Sequence, residues 1–253
     1  MKITDVARYY DTLLELDRFA GDPSNNGLQV EAGTECRKAA FAVDACRMVF
    51  ERAAEAGADL LVVHHGLSWG GEPRRWVGMT GRRFQTLFGS ALSLYAAHLP
   101  LDAHPKVGNN AALSDLLKLE NRTMFFPYHG LEIGILGELP RAEEVTAVAA
   151  RAAAGHDYRL RRAPGGSEKV RRVAVISGGG GLDGLLCAQE AGADLLVTGE
   201  FDHTMYHPML ENRTHVAQLG HYRSEVHGVR NLMELAESEL KLECVWIDCP
   251  TSL

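Results

Sequence analysis

The stretch Gly57-Ala-Asp-Leu-Leu-Val-Val-His-His-Gly66 decides how this chain is read. Residues 46–56 before it carry a helical pattern, and Gly57 stops it. After Asp59, residues 60–63 are continuously apolar rather than alternating, which marks a strand covered on both faces. Upstream, residues 39–43 (AAFAV) form a similar run, so 39–63 reads as one strand–helix–strand unit. Residues 192–201 (GADLLVTGEF) repeat the theme, with a helix-ending glycine followed by Ala-Asp-Leu-Leu-Val. The echo is either a trace of duplication or the common way for a chain to leave a helix and enter a parallel strand.

Working outward, the pattern continues in both directions. A helix is expected over 80–88, a strand over 91–97 and a helix over 108–119. Strands follow over 132–136, 157–160, 173–177, 194–198, 215–218 and 243–247. Helices are expected over 142–154, 182–191, 202–212 and 224–240. Strands alternating with helices predict an α/β fold with mainly parallel central sheets. The two echoing stretches suggest two similar α/β halves, with the break between them near residues 121–130.

The bulk properties narrow the function. The 253 residues are 46% hydrophobic and 23% charged, ordinary for a globular chain. There is no apolar run of about 18 residues and no signal-peptide core at the N-terminus, so a cytoplasmic protein without membrane contact is expected. A formal net charge of -7 argues against direct nucleic-acid binding. Two basic clusters stand against that balance. Arg74, Arg75, Arg82 and Arg83 form one; Arg159, Arg161, Arg162, Lys169, Arg171 and Arg172 form the other. Both read as solvated surface. Five cysteines without a CxxC pair indicate neither a disulfide framework nor a thiolate zinc site.

Three pairs of residues carry the chemistry. His64 and His65 end a predicted strand, where α/β sheets bind their ligands. Neighbours in a regular strand point to opposite faces, and Gly66 allows a turn that aims both rings outward. His98 and Asp102 follow another strand. His221 and Glu225 lie four apart at a helix start, on one face. Each pair also has an ordinary structural explanation, such as a buried hydrogen-bonded histidine, a turn or a surface His–Glu bond. Together, however, they make a nitrogen and oxygen donor set without sulfur, suited to Zn, Mn, Fe, Co or Ni. Two divalent ions against two carboxylates leave a net positive charge. That balance favours a bridging hydroxide and a small anionic substrate, a nucleotide or phosphate ester.

Weaker features remain. Ser177 and the glycines 178–181 lie between a strand and a helix and could cradle a phosphate on backbone N–H groups, although no Walker motif follows. His203 and His207 are four apart on a predicted helix. Ser24-Asn25-Asn26-Gly27 is a turn. Asp44 stands at another strand end.

Several of these stretches occur together in one known family. Asn-Asn-Gly-Leu-Gln-Val at 25–30, Phe-Ala-Val-Asp at 41–44, His-His-Gly at 64–66, His-x-x-x-Asp at 98–102, Thr-Gly-Glu at 198–200 and Gly-His-Tyr-x-x-Glu at 220–225 follow in its order. The chain resembles the GTP cyclohydrolase type 2 homologues, also called NGG-one-interacting-factor-three-like proteins, from end to end. The resemblance implies a dinuclear metal centre with ligands His64, His65, Asp102, His221 and Glu225, Glu225 bridging. It also implies two interlinked α/β domains, 1–125 plus 220–253 carrying most of the ligands and 126–219, with the metal site in the cleft between them, and a ring-shaped homohexamer without the inserted domain of longer members. Leu99-Pro100 replaces the family's frequent Thr-Asn, and Ser24 its usual Asp.

The leading expectation is a metal-dependent hydrolase. The family's named activity is opening of the purine ring of GTP by attack at C8, with His98 moving a proton. The alternatives are a nucleotide phosphoesterase, and a non-enzymatic metal-binding or regulatory interaction protein.

Overall fold

The computed structural model describes residues 1–71 and 75–253. Arg74 of the first basic cluster lies outside the described residues. The chain forms two compact units, residues 1–101 with 228–249 and residues 102–227 with 250–253. Among the described residues, no helix is long and apolar enough to cross a membrane.

The first unit is built on a five-stranded sheet in the order Gly27–Val30, Ser93–Ala96, Leu60–His65, Lys38–Asp44, Glu243–Trp246. Four of these strands run parallel, and Gly27–Val30 joins the edge antiparallel. The apolar runs at 39–43 and 60–63 are buried on both faces. On one face Leu61, Val63 and Leu94 pack with Val49 and Phe50 of helix Arg47–Glu55 and Leu87 of helix Gly78–Gly89. On the other, Tyr10 of helix Ile3–Leu13 lies against Tyr95 and donates its hydroxyl to the Leu232 carbonyl. Each fully buried Leu, Val or Phe contributes about 1.5–3 kcal/mol.

The second unit holds a six-stranded sheet in the order Glu120–Met124, Ile135–Glu144, Lys169–Ile176, Leu195–Thr198, His215–Gln218, Arg159–Arg161. Its three central strands are parallel, and antiparallel strands are added at both sides. Val173, Val175, Leu195 and Val197 meet Leu113 and Leu117 of helix Asn109–Leu117 and Val148 of helix Val145–Ala152. The helix expected from residue 142 starts three residues later. Glu143 and Glu144 remain extended because Val170 and Lys169 pair with them. The strand Glu120–Met124 is polar and mostly exposed, so it carries no apolar period by which to predict it.

The echo between the two stretches has a local physical cause. Gly57 and Gly192 both take φ +73, ending their helices in the left-handed region. The next Asp then clamps the start of the neighbouring strand. Asp59 Oδ2 accepts from the N–H of Arg37 and Lys38, and Asp194 Oδ2 from those of Arg171 and Arg172. In both units the same Asp also donates its own N–H back, to Lys38 or to Arg172. The repeated sequence is therefore one solution for joining a helix to a parallel strand. Three side chains of the second basic cluster are locally engaged: Arg162 pairs with Glu168, Arg171 with Glu138, and Arg161 lies over the Phe201 ring.

Candidate metal centre

In the first unit, three histidines meet at the carboxyl ends of two adjacent parallel strands. His64 and His65 end Leu60–His65, and His98 follows Ser93–Ala96 after one residue. Ring centroids are 4.5 Å apart for His64 and His65, 5.2 Å for His64 and His98, and 5.7 Å for His65 and His98. Each ring offers a nitrogen within 4.8 Å of those of the other two.

The ring nitrogens are oriented alike. His64 Nδ1 is 2.8 Å from the Ala97 carbonyl, His65 Nδ1 is 2.8 Å from Asp44 Oδ1, and His98 Nδ1 is 2.9 Å from Asp22 Oδ1. A carbonyl and a carboxylate accept only, so Nδ1 carries the hydrogen in all three rings. In the neutral imidazole this places the lone pair on Nε2. It is the arrangement in which metal-ligating histidines are commonly held. Gly66 serves close approach: a Cβ there would fall 2.4 Å from Gln29 Oε1 and 2.6 Å from Ala96 Cβ.

Asp22 supports this cluster through His98, unmarked by any motif. Its side chain is fully buried. Oδ1 accepts from His98 and the Ser24 N–H; Oδ2 accepts from Asn26 and the Leu99 N–H. Burial alone would raise its pKa, but these hydrogen bonds and the nearby His98 outweigh burial and hold it below the usual carboxylate range. Asn26 Oδ1 in turn accepts the His98 N–H at 2.7 Å.

In the second unit, His221 opens the helix His221–Ser238. Its Nδ1 is 2.7 Å from Glu200 Oε1, and its Nε2 is 3.2 Å from Glu225 Oε1. Burial pushes the His221 pKa down, while the two carboxylates more than reverse this and bring it to about 9. Asp102 and Glu225 are both buried, with carboxylate oxygens within 4.8 Å of one another. Asn109 and the Ser177 hydroxyl each donate to Asp102 Oδ1 at 2.9 Å. Asn110 braces the same corner, donating to the carbonyls of Ile133 and Asp102 while its Oδ1 accepts the Ser177 N–H.

The glycine run after Ser177 faces carboxylates. A Cβ at Gly178, where φ is +62, would lie 2.2 Å from Glu225 Oε1 and 3.2 Å from His221 Nε2; one at Gly179 would lie 3.2 Å from Glu200 Oε2. The run's first two glycines therefore make room for acidic side chains, surroundings that repel a phosphate. Gly199 is equally constrained, because a Cβ there would come 2.5 Å from the Gly178 carbonyl and 2.7 Å from Ser224 Oγ.

Other histidines are held differently. His215 Nδ1 accepts the Ala163 N–H and its Nε2 donates to the Ser167 carbonyl, which makes it a neutral structural residue. His104 Nδ1 accepts backbone N–H groups from Lys106 and Val107. His203 and His207 are exposed and, among the described residues, join no three-residue ligand group.

The donor chemistry of each unit fits a divalent ion. The first unit presents three imidazoles, each with an outer partner on Nδ1. The second presents His221 with two buried, closely spaced carboxylates, whose mutual repulsion a cation would relieve. No thiol takes part in either set, which favours zinc or a harder transition metal over copper(I).

The family model described as Duf34/NIF3 (NGG1p interacting factor 3) matches residues 1–252. The chain belongs to that family. As a Duf34/NIF3 protein it is 45% identical, over the full length of both chains, to the "GTP cyclohydrolase 1 type 2 homolog" of Archaeoglobus fulgidus. Its structure is similar to that of TTHA1606 from Thermus thermophilus, with a TM-score of 0.88, 40% identity and full coverage of both chains. It is also similar to reduced HcgD from Methanocaldococcus jannaschii, with a TM-score of 0.86, 27% identity and 98% of each chain covered.

Three groups with clear structural roles were not singled out from the sequence as site residues: Asp22, the pair Asn109 and Asn110, and Ser177 acting through its hydroxyl. The Asn pair did carry a signal, two adjacent amides opening an apolar helix. Glu200 carried one too, standing at the strand end of the second echoing stretch.

Proposed function

We propose that this protein is a dinuclear metal-dependent hydrolase acting on an anionic nucleotide, with His64, His65, Asp102, His221 and Glu225 holding two divalent ions. The observation that carries this reading is the common orientation of His64, His65, His98 and His221. Each has Nδ1 committed to a carbonyl or carboxylate oxygen, so that Nε2 is the nitrogen turned to other use. When bound, a pair of divalent ions supplies Lewis acidity for activating water and for stabilising developing negative charge.

The chain's own groups then have separable tasks. Asp44 and Glu200 accept from Nδ1 of His65 and His221 and fix the orientation of the two rings. Asn109 and Ser177 fix the Asp102 carboxylate. His98, backed by the buried Asp22 carboxylate, accepts and holds a proton at Nε2, because Asp22 stabilises the resulting imidazolium. The name of the Archaeoglobus fulgidus relative supports a nucleotide as substrate, and opening of the purine ring of GTP with release of formate is the reaction we assign. Assembly into a homohexamer belongs to the same proposal.

The test is metal analysis of purified protein, reconstitution with Zn, Mn, Fe, Co or Ni, and assay of formate and phosphate after incubation with GTP. We expect about two ions per chain and formate release, both lost in His221→Ala. Phosphate without formate would instead identify a phosphoesterase. Full metal loading without turnover on a nucleotide panel would sink the enzymatic reading.

A further inference from the structure

Trp69 is a large aromatic side chain left 41% exposed beside the histidine cluster. Its ring centroid is 4.9 Å from that of His98, at a near-perpendicular 72°, and 6.1 Å from that of His65. The indole Nε1–H donates to the Gly66 carbonyl at 2.9 Å, which fixes the ring's position. The loop carrying it is clamped from outside. Gln29 Oε1 accepts the N–H groups of Leu67 and Ser68, Asn25 donates to Ser68 Oγ, and the Gly70 N–H donates to the Pro23 carbonyl. Holding a loop in one shape costs conformational entropy, and burial of the indole does not account for it. A rigid, exposed π-face is what preorganised stacking requires.

We infer that Trp69 is the platform on which the heterocyclic base of the substrate stacks, next to the imidazoles of His65 and His98. The inference rests on the nucleotide reading above. Indole suits the role because stacking on it needs no hydrogen-bond match and positions a planar ring firmly. Its position beside His98 would hold the base within reach of a group suited to proton transfer. Trp69 then acts on substrate placement, so its loss raises KM before it alters kcat.

The experiment compares metal-loaded wild type with Trp69→Leu and Trp69→Phe, using GMP as probe and ribose 5-phosphate as a probe without the base. Calorimetry measures binding, and indole fluorescence reports contact. Circular dichroism and metal content check that each variant is folded and loaded. We expect GMP to quench wild-type emission saturably and to bind Trp69→Leu about tenfold more weakly. Trp69→Phe should fall between, and ribose 5-phosphate should bind all three alike. Equal GMP affinity in wild type and Trp69→Leu, or an equal loss for ribose 5-phosphate, overturns the platform. So does the absence of GMP binding to wild type. The outcomes are separable from the hydrolase reading. Trp69-dependent GMP binding without turnover keeps the platform and removes the reaction; turnover with unchanged KM in Trp69→Leu does the reverse.

Discussion

Replacing Asp22 by Asn tests how the histidine cluster is held. The carboxylate is fully buried and accepts four hydrogen bonds, two at each oxygen. An amide supplies only one oxygen, so its –NH2 must face two donors. Facing Asn26 and Leu99 is the costlier choice, since the Asn26 amide cannot flip without losing the bond that its Oδ1 accepts from the His98 N–H. Facing His98 and Ser24 allows a partial escape: the imidazole moves its hydrogen to Nε2 and accepts at Nδ1. The Ser24 N–H is then left without an acceptor, a cost of about 1–3 kcal/mol, and the charge-assisted character of the remaining bonds is lost as well. The expected destabilisation is about 2–4 kcal/mol, measured by urea unfolding of metal-free protein. Nitrogen-15 spectra of the imidazoles should show His98 changing from the Nδ1–H to the Nε2–H form. The acid limb should change too. Asp22 titrates below its unfolded value when folded, so its contribution is present above about pH 3.9 and is lost as pH falls through the folded pKa. Asp22→Asn removes that limb. A change under about 0.5 kcal/mol, with His98 retaining Nδ1–H, would refute the reasoning.

Two further outcomes follow from the second unit. In metal-free protein His221 should titrate near 9 by NMR, and Glu225→Gln should bring it down toward the ordinary value of 6.5. Because its folded pKa is raised, the stability it contributes is complete below about pH 6.5 and is lost as pH rises through about 9; a wild-type titration near 6.5 would contradict the paired geometry. Gly178→Ala should destabilise by about 1–3 kcal/mol and reduce bound metal, since it combines a left-handed backbone with a Cβ driven into Glu225. Gly181→Ala meets nothing nearer than Asp202 Oδ2 at 3.8 Å, so it should carry only the backbone cost of about 1 kcal/mol and keep its metal. Equal metal loss in both variants would show that backbone strain, rather than contact with Glu225, governs the site.

Much of the fold was legible because its central strands are buried on both faces. Residues 39–43, 60–63 and 195–197 are continuous apolar runs, the last two each following a helix ended by glycine, and each is a strand in a parallel pair. Antiparallel additions were harder to see. Glu120–Met124 is a polar edge, and Ile135–Glu144 runs through Pro140 and a charged stretch that local propensity assigns to a helix. Only pairing with the strand Lys169–Ile176 keeps Glu143 and Glu144 extended.

The opening stretch shows the same division. By itself the sequence determined the elements: a helix stopped at Gly57, a buried strand, and two histidines at its carboxyl end. It also placed His98 with Asp102, and His221 with Glu225, at comparable positions, since short-range periodicity and chain punctuation are local properties. Tertiary structure alone decided what holds each imidazole. Asp44 reaches His65 across 21 positions, Glu200 reaches His221 across 21, and Asp22 reaches His98 across 76. A hydrogen bond reads distance in space rather than in sequence, and an acidic side chain leaves no periodic mark of the ring it will meet.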